Sequence, residues 1–431
     1  MSDTPIGDGP DLEEYTSGAV PDGVSSSGFS LALIVIGGTI GFAIFIVSAQ
    51  IGGSLGYTKA AFAFALGSLI LGVMGAMTSY VGARTRLSTY LLTDYAFGRL
   101  GSKVANAAVA ISLIGWFGVI SNSLGQAAHT MLIDTFSITI PTWSLVLVAS
   151  VLMIAVTING FKGIDKLALY LVPVMLAFLV YAGYRSVSAS TGAPLELTSD
   201  FTFQTAVSAV VGSYIAGVII QPDYSRFAKS RVGAIWSVFI ALGIIFPLIM
   251  FLSALPSLTA GNPDLLVVMA NLGLVIPAFF LFALGAWASN VLCLYSSGLS
   301  IATMTSKFTL KQILLAIGVL GTSIAFVKAQ AYLVGFLVAL GVIIPPIGAV
   351  YLIDAFFIRR FAYGGFKDGE VKDEKIAPYR IPALAAWGAG SAFGFVSQST
   401  AIQVTGIASI DTLIVTALVL VAMERKRIFS Q

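Results

Sequence analysis

Cysteine and histidine are almost absent from this chain of 431 residues, which contains one of each, Cys293 and His129. A single cysteine forms no disulfide within the chain, and these two residues alone supply too few ligands for a zinc or di-iron site. The sequence therefore excludes a disulfide-stapled scaffold and a Cys/His metal centre.

Charged residues are scarce as well. Asp, Glu, Lys and Arg make up 10% of the chain, whereas a soluble domain has about 25%. This shortage excludes a large soluble enzyme and a disordered protein. The 23 basic and 20 acidic residues give a net charge of +3, so we expect no nucleic-acid partner. With 57% hydrophobic residues, the composition predicts an all-α polytopic membrane protein embedded in a lipid bilayer.

Residues 1–28 differ from the rest of the chain, because they are acidic and rich in glycine, proline and serine. They lack the basic start and the apolar centre of a secretion signal. We expect this segment to be a flexible cytoplasmic N-terminal tail.

Twelve apolar runs follow this tail, and a helix needs about 20 apolar residues to cross a bilayer. The predicted spans are 29–57, 60–82, 104–128, 142–160, 165–186, 203–222, 233–255, 273–304, 311–327, 331–356, 381–399 and 406–423. We group them as five spans (29–186), five further spans (203–356), a cytoplasmic loop (357–380), and two extra spans with a short cytoplasmic tail (381–431).

The distribution of basic residues predicts the orientation. If the N-terminus is inside, the outer loops contain only Lys59, Arg185 and Lys328 of the 23 basic residues. Such an excess of Lys and Arg on one side follows the positive-inside rule. We therefore expect a multi-pass protein of the cell inner membrane with both termini in the cytoplasm.

The first and sixth spans contain similar glycine-rich runs. Gly37-Gly38-Thr39-Ile40-Gly41 lies 175 residues before Gly212-Ser213-Tyr214-Ile215-Ala216-Gly217, and spans seven to ten begin within nine residues of the same offset. Two groups of five spans have opposite orientations, which predicts an inverted-repeat transporter with its site where the first helix of each repeat is unwound. The alternative is that these glycines only allow close helix packing.

Five motifs occur in order between about residues 30 and 360: Gly115-Trp116-Phe117-Gly118, Val211-Gly212-Ser213-Tyr214-Ile215, Asp223-Tyr224-Ser225-Arg226-Phe227, Tyr295-Ser296-Ser297-Gly298-Leu299 and Ile344-Pro345-Pro346-Ile347-Gly348. With these motifs the sequence resembles the nucleobase–cation symport family, specifically its cytosine-permease branch. The resemblance implies a LeuT-like fold of five plus five inverted helices and two extra helices. It also implies import of a planar heterocycle by cation symport and alternating access.

The resemblance further implies a substrate site. It matches Trp116 and Tyr214 to two aromatic residues that sandwich the base, and stacking of this kind contributes about 1–3 kcal/mol per base. Ser213 matches a serine of the family. Asn290 lies in the middle of span eight, where its amide could contact the substrate or could equally bond a neighbouring helix.

Two positions depart from the cytosine-permease pattern. Leu113 stands where those proteins have a glutamine that contacts the base, and Ala216 replaces a serine. The loss of hydrogen-bonding groups predicts a more apolar pocket, since such groups select among ligands. A methylated or hydroxymethylated pyrimidine or a purine is therefore a candidate substrate, with cytosine as the reference.

The resemblance also implies a sodium site between spans one and eight. The matching carbonyl groups are those of Gly37, Ile40 and Gly285, and the matching hydroxyl pair falls on Ala288 and Ser289. Because Ala288 has no hydroxyl, one oxygen ligand is missing unless water or Thr39 replaces it. Sodium is the predicted coupling ion, with a proton as the alternative.

Other functions fit the sequence less well. A proton carrier would be an intramembrane titratable group, but Asp354 lies beside Arg359 and Arg360, which favours a salt bridge at the cytoplasmic end of span ten. An amino-acid or amine transporter on the same fold is the main alternative, with a carboxylate bound at the unwound first helix. An enzyme is not expected, because the sequence contains no paired acids, metal cluster or Ser/His dyad within the spans.

Overall fold

The computed structural model describes residues 19–20, 25–159, 164–190, 201–262, 265–302, 304–305, 307–327, 332–363, 366–367, 370–371 and 376–429. These residues form helices almost throughout, apart from one antiparallel two-stranded ribbon in the loop at 357–380. The expected all-α membrane architecture is therefore confirmed.

The helices follow the predicted spans closely. In chain order they are α1 (Gly28–Thr39), α2 (Phe42–Thr85), α3 (Thr89–Phe97), α4 (Gly101–Phe136), α5 (Thr142–Asn159), α6 (Ile164–Ser188), α7 (Phe203–Ile219), α8 (Gln221–Ser225), α9 (Arg231–Phe239), α10 (Phe246–Ala260), α11 (Leu265–Asn271), α12 (Val275–Ala302), α13 (Leu310–Ala325), α14 (Leu333–Ile343), α15 (Pro345–Ile353), α16 (Ile381–Ser399), α17 (Ala408–Met423) and α18 (Arg425–Phe429). The ribbon strands are β1 (Phe366–Lys367) and β2 (Glu370–Val371), and π-helical segments at Ile240–Ile245 and Asp354–Ile358 follow α9 and α15.

Length and hydropathy single out six helical stretches that can cross a membrane among the described residues. They are Ile44–Thr85, Gly101–Phe136, Tyr170–Ser188, Arg231–Ala260, Val275–Ala302 and Leu333–Ile358. Shorter apolar helices cover Gly28–Thr39, Thr142–Ile158, Phe203–Ile219, Leu310–Ala325 and Ala408–Met423. These helices are consistent with twelve spans, because breaks divide several of the predicted spans into shorter helices.

Three interruptions have clear backbone causes. The first span breaks at Ile40 and Gly41, where the backbone leaves helical geometry between α1 and α2. Within α2 the chain bends at Gly56, whose φ of 70° suits glycine, and this bend separates the first span from the second. Span ten divides before Pro345, because proline has no N–H to continue the helical bonding.

Glycines on α2 bring the second span into close contact with the sixth and seventh. A Cβ atom on Gly67 would lie 2.6 Å from Cβ of Val210 in α7, and one on Gly72 would lie 2.8 Å from the Cα of Gly243. Small residues that let helix backbones approach are the usual device for packing in a membrane.

Helix packing follows the predicted repeat. One group, the bundle, consists of α1, α2, α7 and the α9–α10 helix, which are spans one, two, six and seven. The other group, the scaffold, consists of α4, α5, α12 and α13, which are spans three, four, eight and nine. Each group thus contains two spans of the first five together with their partners 175 residues later, as an inverted repeat requires.

Part of the expected tail is packed against the protein. The N–H of Val20 donates to the carbonyl of Arg86 at 3.1 Å, and Nε of Arg86 donates back to the Val20 carbonyl at 2.7 Å. Ser26 pairs its backbone with Phe227 and Lys229. Residues 19–20 and 25–27 therefore differ from the expectation of a flexible tail, while residues 1–18 and 21–24 lie outside the described part of the chain.

A buried ionic cluster joins the C-terminal ends of spans ten and twelve. Asp354 pairs with Arg380 and, at 3.2 Å, with Arg359, and Arg380 also contacts Glu424 at 2.9 Å. Nη1 of Arg380 donates to the carbonyl of Tyr95 in α3 at 2.9 Å. The sequence correctly predicted a salt bridge for Asp354, but it missed Arg380, which lies 26 positions further along the chain.

We expect Arg380→Met to lower the stability of the protein by about 3–5 kcal/mol, because Asp354 and Glu424 would remain buried without their main partner. Thermal unfolding in detergent measures this loss. The control is Arg427→Met, since Arg427 contacts Glu424 at 3.5 Å from a side chain that is 63% exposed. Equal losses in the two variants would show that Arg380 is no more important than a surface ion pair.

Candidate functional site

The site is built around the break between α1 and α2. The N–H of Ile40 still bonds the carbonyl of Ile36, but Ile40 itself has φ −91° and ψ 84° and Gly41 is extended. The last carbonyl groups of a helix have no partner within the helix. In the middle of a membrane, such groups are tolerated only where they face a cavity, a ligand or an ion.

Helix α12 lies directly against this break. A Cβ atom on Gly285 would be 2.9 Å from the carbonyl oxygen of Ile40, and one on Gly41 would be 3.3 Å from Oγ of Ser289. Gly285 and Ser289 are one turn apart, so a single face of α12 meets the break. The structure thus brings together three of the five residues predicted to form the cation site.

The hydroxyl of Ser289 is available to bind a ligand. Ser289 is 8% exposed, and its Oγ has no hydrogen-bond partner among the described residues. A buried polar atom without a partner is costly and calls for an explanation such as an ion or a water molecule. A hard cation such as Na⁺ binds to oxygen atoms of this kind.

The other predicted cation residues contribute less. Gly37 lies in the last turn of α1, and Ala288 has a methyl group where the family pattern has a hydroxyl. Thr39 donates its hydroxyl hydrogen to the carbonyl of Ile36 at 2.7 Å, within its own helix. Met175 of α6 closes another side, since a Cβ on Gly285 would lie 2.7 Å from its methyl group.

Tyr214 of α7 is braced against the same segment of α1. Its hydroxyl donates to the carbonyl of Val35 at 3.3 Å, and a Cβ on Gly38 would lie 2.8 Å from its Oη atom. Its ring also packs against Phe246 of α10, with 6.1 Å between the ring centroids. The predicted aromatic residue is therefore in direct contact with the helix that ends at the predicted cation site.

Trp116 is buried in α4, at 6% exposure. Its indole meets the ring of Phe336 on α14 edge to face, with 5.5 Å between centroids and 73° between planes. Gly115 makes this contact possible, because a Cβ there would lie 2.8 Å from the Phe336 ring. Phe336 was missed by sequence reasoning, since nothing distinguishes it from the other apolar residues of span ten.

The structure places the remaining predicted site residues in the same region of α4 and α7. Leu113 is one turn before Trp116 and is buried, and Ala216 is buried on the helix of Tyr214. Ser213 donates its hydroxyl hydrogen to the carbonyl of Val210 at 2.7 Å, so only its lone pairs remain for a ligand. A substrate between Trp116 and Tyr214 stays a prediction.

Asn290 is an interhelical amide. It is fully buried, and its Nδ2 donates to the carbonyl of Phe117 at 3.2 Å and to Oγ of Ser121 at 2.9 Å, with Sδ of Met153 at 3.1 Å. These contacts join α12 to α4 and α5. The geometry favours the structural alternative for Asn290, although its Oδ1 has no partner among the described residues.

The expected unwinding of span six at Gly212–Gly217 is wrong. Helix α7 is continuous from Phe203 to Ile219, and the helix is interrupted only at Ile220, near the end of the span. Gly212 instead allows α7 to pack on α14, because a Cβ there would overlap the carbonyl oxygen of Leu337. The glycines of span six therefore allow close helix packing, whereas the glycine-rich run of span one contains a break in the helix.

Replacement of Gly212 by alanine should destabilise the protein by about 1–3 kcal/mol, because the added methyl forces α7 and α14 apart. The matched control is Gly335→Ala in α14, where a Cβ would meet nothing within 4 Å. Thermal unfolding of both variants in detergent tests the difference. If Gly212→Ala unfolds at the wild-type temperature, the close contact is not a constraint.

Hydrogen bonds join α3 to helices of both groups at the end of span six. Oδ1 of Asp223 accepts a hydrogen bond from the N–H of Thr89 at 2.8 Å, and the hydroxyl of Tyr90 donates to the carbonyl of Ser296 at 3.1 Å. Helix α3 thereby ties α8 of the bundle to α12 of the scaffold. Burial raises the pKa of Asp223, and the charge of Arg226 and the hydrogen bonds from Thr89 oppose that rise.

A family model matches residues 28–422, which is most of the chain. Its description is "Permease for cytosine/purines, uracil, thiamine, allantoin". The chain belongs to this family. It is therefore a membrane permease and not an enzyme, as the sequence analysis expected.

Two relatives of this permease illustrate the family. The cytosine permease of Escherichia coli (strain K12) is 27% identical over 350 residues, which cover 80% of this chain and 82% of the relative. The hydantoin permease of Microbacterium maritypicum is 24% identical over 389 residues, which cover 84% and 79%.

Solved structures agree with the predicted fold. Mhp1, a nucleobase-cation-symport-1 family transporter, in a closed conformation with bromovinylhydantoin bound, superposes with a TM-score of 0.79 at 19% identity, covering 97% of this chain and 96% of that one. A Na⁺-coupled sialic acid symporter gives a TM-score of 0.63 at 12% identity, covering 96% and 93%. The LeuT-like fold expected from the motifs is confirmed.

Proposed function

We propose that this permease imports a nucleobase or a related planar heterocycle together with Na⁺. The observation that carries the proposal is the break at Ile40 and Gly41, which meets Gly285, Ser289 and the Tyr214 helix at one point. The family description and the relatives that transport cytosine and hydantoin support the substrate class.

Trp116 and Tyr214 are the proposed stacking residues. Both side chains lie on helices that contact each other, and each ring packs against one further aromatic residue, Phe336 or Phe246. Because Leu113 and Ala216 offer no hydrogen bonds and the Ser213 hydroxyl bonds its own helix, recognition rests more on ring shape than on polar contacts. Such a pocket suits a methylated pyrimidine or a hydantoin better than cytosine.

Sodium coupling is supported by the contacts of α1, because the proposed cation site and Tyr214 both lie against this helix. A cation at Ile40 and Ser289 would neutralise the partial negative charge of the free carbonyl groups and hold the broken segment in one conformation. Tyr214 bonds that same helix through Val35. A bound cation therefore favours the arrangement of α1 that positions the substrate ring.

Alternating access would move the bundle relative to the scaffold. The contacts of Asp223 with Thr89 and of Tyr90 with Ser296 close the cytoplasmic exit here. Release of substrate to the cytoplasm requires that these contacts open. The distribution of basic residues predicts that both termini are inside. The permease would then lie in the inner membrane with this exit facing the cytoplasm.

The proposal is tested by thermal unfolding of the purified permease with single compounds, in NaCl and in choline chloride. The compounds are cytosine, 5-methylcytosine, hydroxymethylpyrimidine, adenine, benzylhydantoin and leucine. We expect a planar heterocycle to raise the unfolding temperature, and to raise it more in sodium, since a ligand that binds only the folded state stabilises it. Stabilisation by leucine alone would favour the amino-acid transporter instead.

Trp116→Ala should raise the concentration for half-maximal uptake of the heterocycle that the screen identifies by about 5- to 150-fold, because about 1–3 kcal/mol of stacking is lost per base. Radiolabelled uptake into proteoliposomes measures the effect. Trp236→Ala is the control, since that indole is 56% exposed on the outer surface of the bundle. Uptake at the wild-type rate by Trp116→Ala would refute the stacking role.

Ser289→Ala should raise the sodium concentration for half-maximal uptake by about tenfold or more, since a hydrogen-bonding or ligand interaction with a charged group contributes about 1.5–3 kcal/mol. The reverse change, Ala288→Ser, should lower it by restoring a hydroxyl group. Ser297→Ala is the control, because that hydroxyl donates to the carbonyl of Leu294 within α12. An unchanged sodium dependence in Ser289→Ala would refute Ser289 as a sodium ligand, and indifference to sodium in both forms would point to protons or to no coupling.

A further inference from the structure

A cavity of about 820 Å³ lies away from the break, on the outer surface of the helix bundle between α2 and the start of α7. Six apolar residues form most of its wall: Leu55, Phe62, Leu66, Leu69, Phe201 and Phe203. Lys59 also lines it. The volume falls within the range of about 300–1,000 Å³ that is typical of ligand pockets.

The α2 side of this groove is a regular stripe. Lys59, Phe62, Leu66 and Leu69 recur at intervals of three or four residues after the bend at Gly56, which places them on one face of the helix. Lys59, Phe62 and Leu69 are exposed, with Phe62 at 66%. This face is therefore not covered by any other described part of the chain.

The depth of the groove matches one leaflet of a bilayer. Lys59 follows the bend at Gly56 between the first two spans, where the chain turns at the membrane surface. Leu69 lies ten residues further along the helix, which is about 15 Å at a rise of 1.5 Å per residue. Half of a hydrocarbon core of about 30 Å is the same distance. The groove thus runs from the interface to the middle of the membrane.

Lys59 is the one charged residue among the described residues that line the groove. The predicted spans place it at the membrane interface, and Thr202, Phe203 and Gln204 at the start of α7 line the same groove. Thr202 caps α7 by accepting the N–H of Thr205, and the N–H groups of Phe203 and Gln204 precede it in that turn. The N-terminal end of a helix attracts anions, and a phosphate group above all.

We propose that this groove binds one phospholipid with an anionic headgroup. Its phosphate would lie between Lys59 and the start of α7, and its acyl chains would lie along Phe62, Leu66 and Leu69. The length of the apolar wall favours a membrane lipid over a soluble phosphate. A free phosphate ion would leave the side chains from Phe62 to Leu69 without an apolar ligand to contact. The site is independent of the proposed transport function, since α4 and α12 take no part in it.

The test uses full-length permease in detergent, with added dioleoylphosphatidylglycerol, dioleoylphosphatidylcholine or inorganic phosphate. We expect phosphatidylglycerol to raise the unfolding temperature of the wild type more than the other two additives do. Lys59→Gln should lose at least half of that rise by removing the charge, and Ala65→Trp should do the same by filling the groove. Native mass spectrometry should show one retained phosphatidylglycerol molecule in the wild type and less in both variants.

Two exposed positions outside the groove serve as controls. Arg185→Gln removes another predicted outer charge, and Val151→Trp adds an indole to an exposed site on α5 that is 53% accessible. Both should respond to phosphatidylglycerol as the wild type does. If Lys59→Gln and Ala65→Trp also respond fully, or if inorganic phosphate alone reproduces the rise, the lipid site is refuted.

Discussion

The interruption of the first span at Ile40 and Gly41 is the constraint on which the rest of the structure depends. A membrane core offers no water to free carbonyl groups, so the break has to be compensated by neighbouring groups. The structure places Gly285 and the unbonded hydroxyl of Ser289 against the break, and Tyr214 bonds the carbonyl of Val35 shortly before it. The scaffold helix α12 and the bundle helix α7 are thereby both in contact with the same few residues of α1.

The two predicted repeats have similar helix packing, but their backbones differ locally. Spans one and six are equivalent in the bundle, yet only the first is broken in its middle, while α7 continues through Gly212 to Ile219. Glycine has two uses in a membrane helix, which are freedom of the backbone and close approach of a neighbour. Gly56, with a φ of 70°, shows the first use, and Gly212 shows the second, because a Cβ on Gly212 would overlap the carbonyl oxygen of Leu337.

This difference separates the features that the sequence alone could predict from those that it could not. The spans were predictable, because hydropathy records them directly. The offset of 175 residues predicted a repeat, but it did not predict which spans would pack together as bundle and scaffold. The positions of Ile40, Gly285 and Ser289 followed from a resemblance to a family pattern. The amide contacts of Asn290, the Arg380 cluster and the packing of Phe336 on Trp116 could not be foreseen, since each joins segments that are far apart in the chain and carry no periodic signal.

The position of Phe336 has a consequence for how such permeases diversify. Its ring borders the indole of Trp116 from span ten, whereas the oxygen atoms near the break belong to spans one and eight. A larger or smaller side chain at position 336 would reshape the space beside the indole and leave those oxygen atoms in place. In the proposed transport scheme, a substitution at position 336 would therefore change the range of ligands without changing the oxygen atoms of the proposed cation site.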